Sequence, residues 1–357
     1  MIPARMHAVL LRGYGDVSRL EYREDVPVPQ PAAGEVLVRV GAAAVNNTDI
    51  NLRTGWYSQS GAAQPGGPGG EAGGVPDEGG WAGTPVAFPL IQGADGCGQI
   101  AAVGAGVSPK RIGERVLIDP ILRASGENHA DARYLGSDCH GTFAQFVAVP
   151  AANALPIHST MSDAELASFP CAYMTAENLL TRAGVSGADT ILVTGASGGV
   201  GSAAIQLARR RGARVIAVAG PEKSAALKSL GAAEVVARGE NLVSRLGTDS
   251  LDAVIDVVGG SLFAALLKVL RRCGRYAIAG AIGGPLVALD LRTVYLKDLT
   301  LYGCTIAEPG LFGRLVGYIE RGEIRAVLAK SLPLRELAAA QQAFLEKTHV
   351  GKIAILP

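Results

Sequence analysis

An apolar run that leads directly into a glycine-rich turn and then into an amphipathic stretch restricts the fold of this sequence more than any other feature. Residues 190–201 read Thr-Ile-Leu-Val-Thr-Gly-Ala-Ser-Gly-Gly-Val-Gly, helical periodicity continues to residue 211, and a second apolar run occupies residues 214–218. A strand, a helix and a second strand in this order form a βαβ unit. The pattern therefore predicts a parallel sheet with helices packed on its faces.

The glycines of this turn predict a binding site for a pyrophosphate. Because they lack side chains, Gly195, Gly198, Gly199 and Gly201 allow backbone N–H groups to approach phosphate oxygens. The N-terminus of the following helix also favours negative charge. A tight turn without a ligand is the alternative. We favour a dinucleotide, because the strand, turn, helix and second strand occur in the order that such a site requires.

The end of the second strand indicates which dinucleotide is bound. In NAD sites, a carboxylate about 20 residues after the glycine turn bonds the ribose 2′-hydroxyl. That place holds Ala219 and Gly220 here, and Lys223 follows. A lysine can pair with the 2′-phosphate of NADP as a point charge, so we predict NADP(H). Glu222 is the residue that would favour NAD(H), and a solvated charge at a helix start is the alternative role of Lys223.

The chain divides into two parts near residue 150. Before it, short β-branched runs such as residues 35–40 and 113–118 are broken by Gly and Pro, which predicts a compact β domain. After it, helical stretches separate further predicted strands at 253–256, 274–278 and 299–302. Beyond these, we predict helices at 311–321 and 334–348 and a last strand at 352–356 that could rejoin the first domain.

Composition excludes several classes of protein. Hydrophobic residues make up 48% and charged residues 18%, which is typical of a folded globular chain. The 33 Lys and Arg nearly balance the 32 Asp and Glu, and no basic stripe with aromatic residues predicts nucleic-acid binding. No window approaches the roughly 18 consecutive apolar residues of a membrane span, and no signal peptide is evident, so we expect a cytoplasmic protein.

Residues 60–83 have an unusual composition, with ten Gly in 24 positions and few apolar residues to anchor the segment to a core. This composition predicts a flexible insertion, which could cover a cleft or remain disordered.

Several short motifs resemble those of the medium-chain dehydrogenase/reductase superfamily. In chain order they are Gly93-Ala-Asp-Gly-Cys-Gly98, Gly113-Glu-Arg-Val116, Gly141-Thr-Phe-Ala-Gln-Phe146, the turn at 194–201, Asp256-Val-Val-Gly259 and His349-Val-Gly-Lys-Ile353. The resemblance covers nearly the whole chain and implies an α/β fold. A GroES-like catalytic β domain is expected over residues 1–150 and 308–357, and a Rossmann domain with a doubly wound parallel sheet, binding NADP, over 151–307. It also implies a homodimer, since the predicted strand 299–302 would be an exposed apolar edge in a monomer.

The metal positions of the superfamily are changed in this sequence. Its zinc alcohol dehydrogenases carry a Cys, a His and a later Cys at places that here read Asn46, Ala94 and Cys171. A catalytic zinc needs three protein ligands, so we predict no metal. Without a Lewis acid, alcohol oxidation loses its main means of activation. The chain is then similar to the zinc-independent quinone oxidoreductases and enoyl reductases, which use NADPH to reduce a polarised C=C bond.

The segment 46–57 resembles the Asn-Pro-x-Asp-Ile-Asn-(x)5-Tyr element of the mitochondrial-type 2-enoyl thioester reductases, with Asn47 where Pro is usual. The resemblance implies that Tyr57 supplies a proton after hydride transfer, against the alternative of an aromatic that only lines the cleft. The other predicted catalytic residues, which could hydrogen-bond the nicotinamide ribose or the substrate oxygen or only shape the turn, are Asn46 and Thr48.

Further cofactor contacts are expected from the loops that follow the strands of the second domain, because ligands gather at the C-terminal ends of such strands. Lys352 resembles a lysine near the adenosine phosphate in related enzymes, although a strand-edge charge is equally compatible. The predicted cofactor-binding residues are Thr175, Gly195, Ala196, Ser197, Gly198, Gly199, Val200, Gly201, Ala219, Gly220, Lys223, Val258, Ala279, Gly280, Ala281, Cys304, Thr305 and Lys352.

Three functions remain compatible with the sequence. The first is a zinc-independent, NADPH-dependent reductase of an enone, enoyl compound or quinone. The second is an alcohol dehydrogenase in which Thr48 relays the proton and an unrecognised metal or side chain polarises the alcohol. The third is an NADPH-binding protein without catalysis. In the first two cases the expected partner is a small-molecule substrate.

Overall fold

The computed structural model describes residues 1–57, 79–83, 85–123 and 132–357. Residues 60–78 of the predicted insertion lie outside these ranges, so the prediction of a flexible segment stays a prediction. No helix within the described part of the chain is both long and apolar enough to cross a membrane.

The elements of the first part of the chain are mostly short strands. They are β1 (Arg5–Leu11), β2 (Leu20–Pro27), β3 (Glu35–Ala44), α1 (Asn47–Arg53), β4 (Leu90–Ile91), β5 (Asp95–Val103), β6 (Arg115–Ile118), β7 (Ile121–Arg123), β8 (Ala132–Tyr134), β9 (Phe146–Pro150) and β10 (Ala154–Pro156).

Helices and strands alternate through most of the remainder. They are α2 (Asp163–Leu166), α3 (Pro170–Arg182), β11 (Thr190–Val193), α4 (Gly199–Arg210), β12 (Arg214–Ala219), α5 (Ser224–Leu230), β13 (Glu234–Ala237), α6 (Leu242–Leu246), β14 (Leu251–Asp256), α7 (Phe263–Val269), β15 (Leu270–Ile278), α8 (Leu291–Leu296), β16 (Thr300–Gly303), α9 (Leu311–Glu320), β17 (Leu328–Pro333), α10 (Leu337–Leu345) and β18 (Lys352–Leu356).

The largest sheet of the first part contains strands from both ends of the chain. Its strands follow the order β10-β6-β5-β3-β18-β17, and β9 also pairs with β3. Strand β18 is antiparallel to β3, with Ala354 opposite Ala44, and parallel to β17. The late strands β17 and β18 therefore complete a sheet that begins with β3.

The second sheet has six parallel strands in the order β13-β12-β11-β14-β15-β16. Helices cover both faces of this sheet, and alternate residues of β11 pack on opposite sides. Ile191 and Val193 pack in the cluster that includes α3 and α4, whereas Leu192 packs in the cluster that includes α7. The strand order reverses between β11 and β14, and a crevice at such a switch point is where these folds bind ligands. The predicted fold class is confirmed.

One strand was not predicted, and one predicted helix is shorter in the structure. Strand β13 did not stand out in the sequence, because it is a four-residue edge strand that is only partly buried. The helix predicted over 334–348 is shorter, since α10 ends at Leu345 and Lys347 adopts a left-handed backbone conformation with φ of 54°. This turn directs Lys347 towards the C-terminal ends of the parallel strands.

Candidate active site

The glycine turn joins the end of β11 to the start of α4. Gly195 has a φ of 55°, and a Cβ atom there would lie 2.9 Å from the Val257 side chain. A Cβ atom on Gly201 would lie 2.3 Å from the carbonyl oxygen of Gly195. Side chains at Gly195 and Gly201 would therefore clash with the turn. The first N–H groups of α4 remain available to an anion, as at any helix N-terminus. This cradle fits the pyrophosphate of a dinucleotide.

A cleft of about 390 Å³ lies between this turn and the first sheet. Helix α1, the starts of α3 and α4, the loops after β14 and β15, and the end of α10 contribute to its walls. The structure brings together there ten of the residues predicted from sequence, namely Asn46, Thr48, Tyr57, Thr175, Gly199, Val200, Ala279, Gly280, Ala281 and Lys352.

The other predicted cofactor residues have different positions. Val258 packs where a side chain on Gly195 would be, so it supports the turn. Ala219 and Gly220 follow one another at the end of β12. Cys304 and Thr305 are not among the described residues that line the cleft: Cys304 is buried in the core beneath α3, and Thr305 is exposed. For these two residues the sequence prediction is not supported by the geometry.

Tyr57 lies in the cleft shortly after the end of α1, with its ring partly buried. Its hydroxyl oxygen is 3.5 Å from Nδ2 of Asn51, which donates to it. Burial raises the pKa of Tyr57 to about 12, so the hydroxyl keeps its proton at neutral pH. A protonated hydroxyl that already accepts a hydrogen bond can donate its own proton to a ligand in the cleft.

Asn46 also reaches the cleft, but protein groups occupy both ends of its side-chain amide. Nδ2 donates to Asp95 Oδ2 at 2.9 Å, and Oδ1 accepts from Nζ of Lys352. The amide of Asn46 is therefore already used within the protein, whereas Thr48 lines the cleft and its side chain hydrogen-bonds the Tyr57 hydroxyl.

Lys352, predicted to lie near an adenosine phosphate, has its ammonium engaged by protein groups, and a contact with the cofactor stays a prediction. Its ammonium is 2.8 Å from Asp95 Oδ2 and donates to the carbonyl oxygen of Val45 at 2.8 Å. The physical reason is the buried carboxylate of Asp95, which attracts the nearest flexible cation strongly where water is excluded. The alternative of a strand-edge charge is wrong, because Lys352 is only 2% exposed and β18 lies between β3 and β17.

The same region does not fit a zinc ion. Its three metal positions hold the engaged amide of Asn46, the methyl group of Ala94 and the thiol of Cys171. Burial raises the pKa of Cys171 to about 12, and the thiol accepts a hydrogen bond from the Tyr134 hydroxyl at 3.1 Å, so it is not a thiolate. Within the described ranges, no group of three His, Cys, Asp or Glu side chains is placed to hold a metal.

A cluster of cations borders the glycine turn. Lys223 is buried, donates to the backbone oxygen of Lys347 and lies 3.4 Å from the Ser197 hydroxyl. The ammonium of Lys347 lies 3.7 Å from the centre of the Phe344 ring, and neither lysine forms an ion pair in the part of the chain that the structure describes. The alternative of a solvated Lys223 is therefore wrong, and a site rich in positive charge beside a phosphate-binding turn suits an anion.

Burial and the neighbouring cations alter the titration of this cluster. Burial, together with the charges of Lys223 and Lys352, lowers the pKa of Lys347 to about 8. Burial, with the charge of Lys347 as the next cause, lowers the pKa of His349 to about 4. The sequence patterns did not predict Lys347, because it follows a helix in sequence and meets the turn only in the folded chain.

The glycine turn at the switch point of a parallel sheet and the cleft shared with a β domain define a pyridine-nucleotide-dependent oxidoreductase. Residues 32–159 match the family of alcohol dehydrogenase GroES-like domains, and residues 199–321 match the zinc-binding dehydrogenase family. The sequence is 46% identical to a candidate alcohol dehydrogenase of known structure from Sinorhizobium meliloti 1021, with 100% of this chain and 98% of the other covered and a TM-score of 0.91.

Two curated relatives of similar length carry more specific descriptions. An acryloyl-coenzyme A reductase of Metallosphaera sedula is 28% identical over 98% of this chain and 99% of its own length. A quinone oxidoreductase of Rattus norvegicus is 26% identical over 98% of both chains. The chain belongs to the medium-chain dehydrogenase/reductase superfamily, as the sequence motifs predicted.

Proposed function

We propose that this chain uses NADPH to reduce the polarised C=C bond of an enone or enoyl compound, or a quinone, without a catalytic metal. The observation that carries the proposal is the partly buried, protonated hydroxyl of Tyr57 in the same cleft as the glycine turn. A reduction of this kind needs a proton donor but no Lewis acid, and the three metal positions hold no set of zinc ligands.

The chemistry that a bound NADPH would supply at this site is a hydride for the β-carbon of an enone or enoyl substrate. Tyr57 donates the proton that completes the reduction at the α-carbon or the oxygen, and Asn51 holds the hydroxyl in position at 3.5 Å. Thr48 supplies a second hydroxyl on the cleft wall. The apolar side chains that line the cleft include Ile50, Trp56 and Ile282.

The relatives described as an acryloyl-coenzyme A reductase and a quinone oxidoreductase support this proposal. An alcohol dehydrogenase is the second candidate, favoured by the description of the Sinorhizobium meliloti protein and by the hydroxyl of Thr48 in the cleft. An NADPH-binding protein without catalysis is the third.

The test is a panel assay with one preparation. NADPH oxidation is followed at 340 nm with a quinone, an enone and a 2-enoyl thioester, NADP reduction is followed with primary and secondary alcohols, and bound zinc is measured in the same sample. Reduction of any of the three acceptors without zinc supports the proposal. Alcohol oxidation with one equivalent of zinc supports the second candidate, and NADPH binding without turnover supports the third.

NADP(H) rather than NAD(H) is the proposed cofactor. Lys223 supplies positive charge beside Ser197, and the ammonium of Lys347 adds charge in the cleft, where it donates to Asn47 Oδ1 at 3.2 Å. Ala219 itself provides no carboxylate at the end of β12 to repel a 2′-phosphate. Glu222, the residue that would favour NAD(H), is exposed in the next turn, and its carboxylate lies against Gly220, so this side chain must turn away for a 2′-phosphate to bind.

This proposal predicts that NADPH binding weakens as pH rises. With a pKa of about 8, Lys347 loses its positive charge between pH 7 and pH 9, and with it the attraction to a 2′-phosphate. Proton linkage for one such group gives about tenfold weaker NADPH binding at pH 9 than at pH 7, whereas NADH binding changes little. Fluorescence titration of both cofactors measures the two dissociation constants.

The variant Lys347→Met should bind NADPH weakly at both pH values, so that its NADPH dissociation constant no longer differs between pH 7 and pH 9. The matched control is Lys228→Met, which removes an exposed lysine from α5 and should keep the pH dependence. A parallel loss of NADH affinity with rising pH would contradict the role of Lys347.

A homodimer is proposed through the edge of the parallel sheet. Strand β16 is the last strand in the order and pairs only with β15 among the described strands. Exposed apolar side chains lie on or near this edge, namely Leu286, Val287, Leu291, Tyr295, Leu296 and Leu301. Pairing the edge with a second copy of the chain would cover them.

Leu301→Lys is therefore expected to convert the dimer to a monomer in sedimentation velocity, because it places a charge in the apolar contact. Ile112→Lys is the matched control, since Ile112 is also exposed, at 52% against 38% for Leu301, but lies in the first part of the chain. A monomeric parent protein, or a Leu301→Lys variant that remains dimeric, would refute this assembly.

A further inference from the structure

Segments that are far apart in the sequence meet at the buried carboxylate of Asp95. Its Oδ1 accepts a hydrogen bond from the backbone nitrogen of Cys171 at 2.7 Å, at the start of α3. Its Oδ2 lies 2.9 Å from Nδ2 of Asn46 and 2.8 Å from Nζ of Lys352. Side-chain exposure is 0% for Asp95 and 3% for Lys352, so water does not share these contacts.

The ammonium of Lys352 has a partner for each of its three protons. Besides Asp95, these partners are the carbonyl oxygen of Val45 and Oδ1 of Asn46. A buried ion pair repays its desolvation only when further hydrogen bonds satisfy both groups, and this pair meets that condition.

Lys352 also connects this point to the glycine turn. Its side chain passes so close to Gly199 that a Cβ atom there would lie 2.7 Å from Cδ of Lys352. The preceding residue, Gly351, donates its backbone N–H to the carbonyl oxygen of Ser197 at 2.8 Å. The start of β18 therefore contacts both the nucleotide-binding turn and the reacting end of the cleft.

The segments joined by Asp95 and Lys352 include the three changed metal positions, at Asn46, Ala94 and Cys171. We infer that the Lys352–Asp95 ion pair replaces the metal ion as the charged link between these segments, and that its ammonium excludes a divalent cation from the site. Lys352 is then a positioning residue, which fixes the amide of Asn46 and, through Asp95, the start of α3. The inference does not depend on which substrate is reduced.

The first test asks whether Lys352 keeps a metal out. Asn46→Cys places a second thiol near Cys171 and Asp95, and it is prepared with Lys352 intact and with Lys352→Met. Cobalt(II) chloride is titrated into both proteins and the cobalt–thiolate absorption is recorded. We expect about one equivalent of bound cobalt in Asn46→Cys/Lys352→Met, and at least ~10-fold weaker binding when the ammonium is present, because two cations repel strongly in a buried site.

The matched control is Asn46→Cys/Lys330→Met, in which the lysine removed is exposed on β17. It should bind cobalt as weakly as Asn46→Cys alone. The inference would be overturned if cobalt bound equally well with and without Lys352, or if it bound to neither protein. Circular dichroism of each variant checks that the fold is retained.

A second measurement serves if these variants fold poorly. Melting temperatures are compared for the parent, Lys352→Met, Asp95→Asn and the double variant. Each single variant leaves an unpaired polar group in the interior, so both should have a lower melting temperature than the parent. The decrease in melting temperature of the double variant should be smaller than the sum of the two single decreases. Additive losses would show that the two side chains act independently and would overturn the inference.

Discussion

Tyr57→Phe is expected to lower kcat about 100-fold for the acceptor that the panel assay identifies, which is the usual size of a lost proton donor. The NADPH dissociation constant should stay within about twofold of the parent value, because the ring remains and only the hydroxyl is removed. The reason lies in the cleft: the hydroxyl accepts from Asn51, and burial keeps it protonated, so it is placed to donate. Steady-state kinetics and fluorescence titration measure the two quantities.

Tyr295→Phe is the matched control, since this exposed tyrosine of α8 lies outside the cleft lining and loses the same atom. It should keep the parent kcat. A Tyr57→Phe variant with parent activity would show that the tyrosine only lines the cleft. In that case Thr48→Val would become the informative variant, because its hydroxyl is the other candidate for proton transfer.

Gly201→Ala is expected to weaken NADPH binding about 100-fold, which corresponds to an overpacking cost near the upper end of ~1–3 kcal/mol. The added Cβ would lie 2.3 Å from the carbonyl oxygen of Gly195 and 2.5 Å from Cα of Ala196. These are backbone atoms of the turn itself, so the turn must move away from the geometry that holds a pyrophosphate. Fluorescence titration with NADPH provides the measurement.

Gly13→Ala is the control for this prediction, because a Cβ atom at Gly13 would have no neighbour within 4 Å. It should bind NADPH as the parent does. Circular dichroism and melting temperature distinguish a displaced turn from a chain that has not folded. Parent-like NADPH affinity in a folded Gly201→Ala protein would show that the turn does not hold the cofactor.

The sequence was most informative where the deciding interactions are local. The apolar run of β11, the glycine turn and the periodicity of α4 lie within about 20 consecutive residues, and these elements lie within one or two residues of their predicted bounds. The bounds of β18 agree with the prediction in full. The parallel sheet follows from repetition of the same strand–helix unit.

The candidate site was harder to predict, because its cations are positioned by tertiary contacts. Side chains of a strand alternate in direction, so the proximity of Gly351 to the turn did not indicate where the ammonium of Lys352 would lie. The position of this ammonium depends on Asp95, which lies more than 250 positions earlier in the chain. Lys347 was expected within a helix, and only its left-handed backbone directs it to the turn.

Strand β18 has a consequence for how the protein is made. It pairs with β3 from the start of the chain, contacts the nucleotide-binding turn through Gly351, and supplies Lys352 to the reacting end. Chains fold during synthesis from the N-terminal side, so a nascent chain that lacks residues 351–356 has neither a complete first sheet nor a finished cofactor site. Completion of the cofactor site therefore waits for residues 351–356, which are made after both β3 and the glycine turn, and a bound nucleotide cannot stabilise the folding chain before they have emerged.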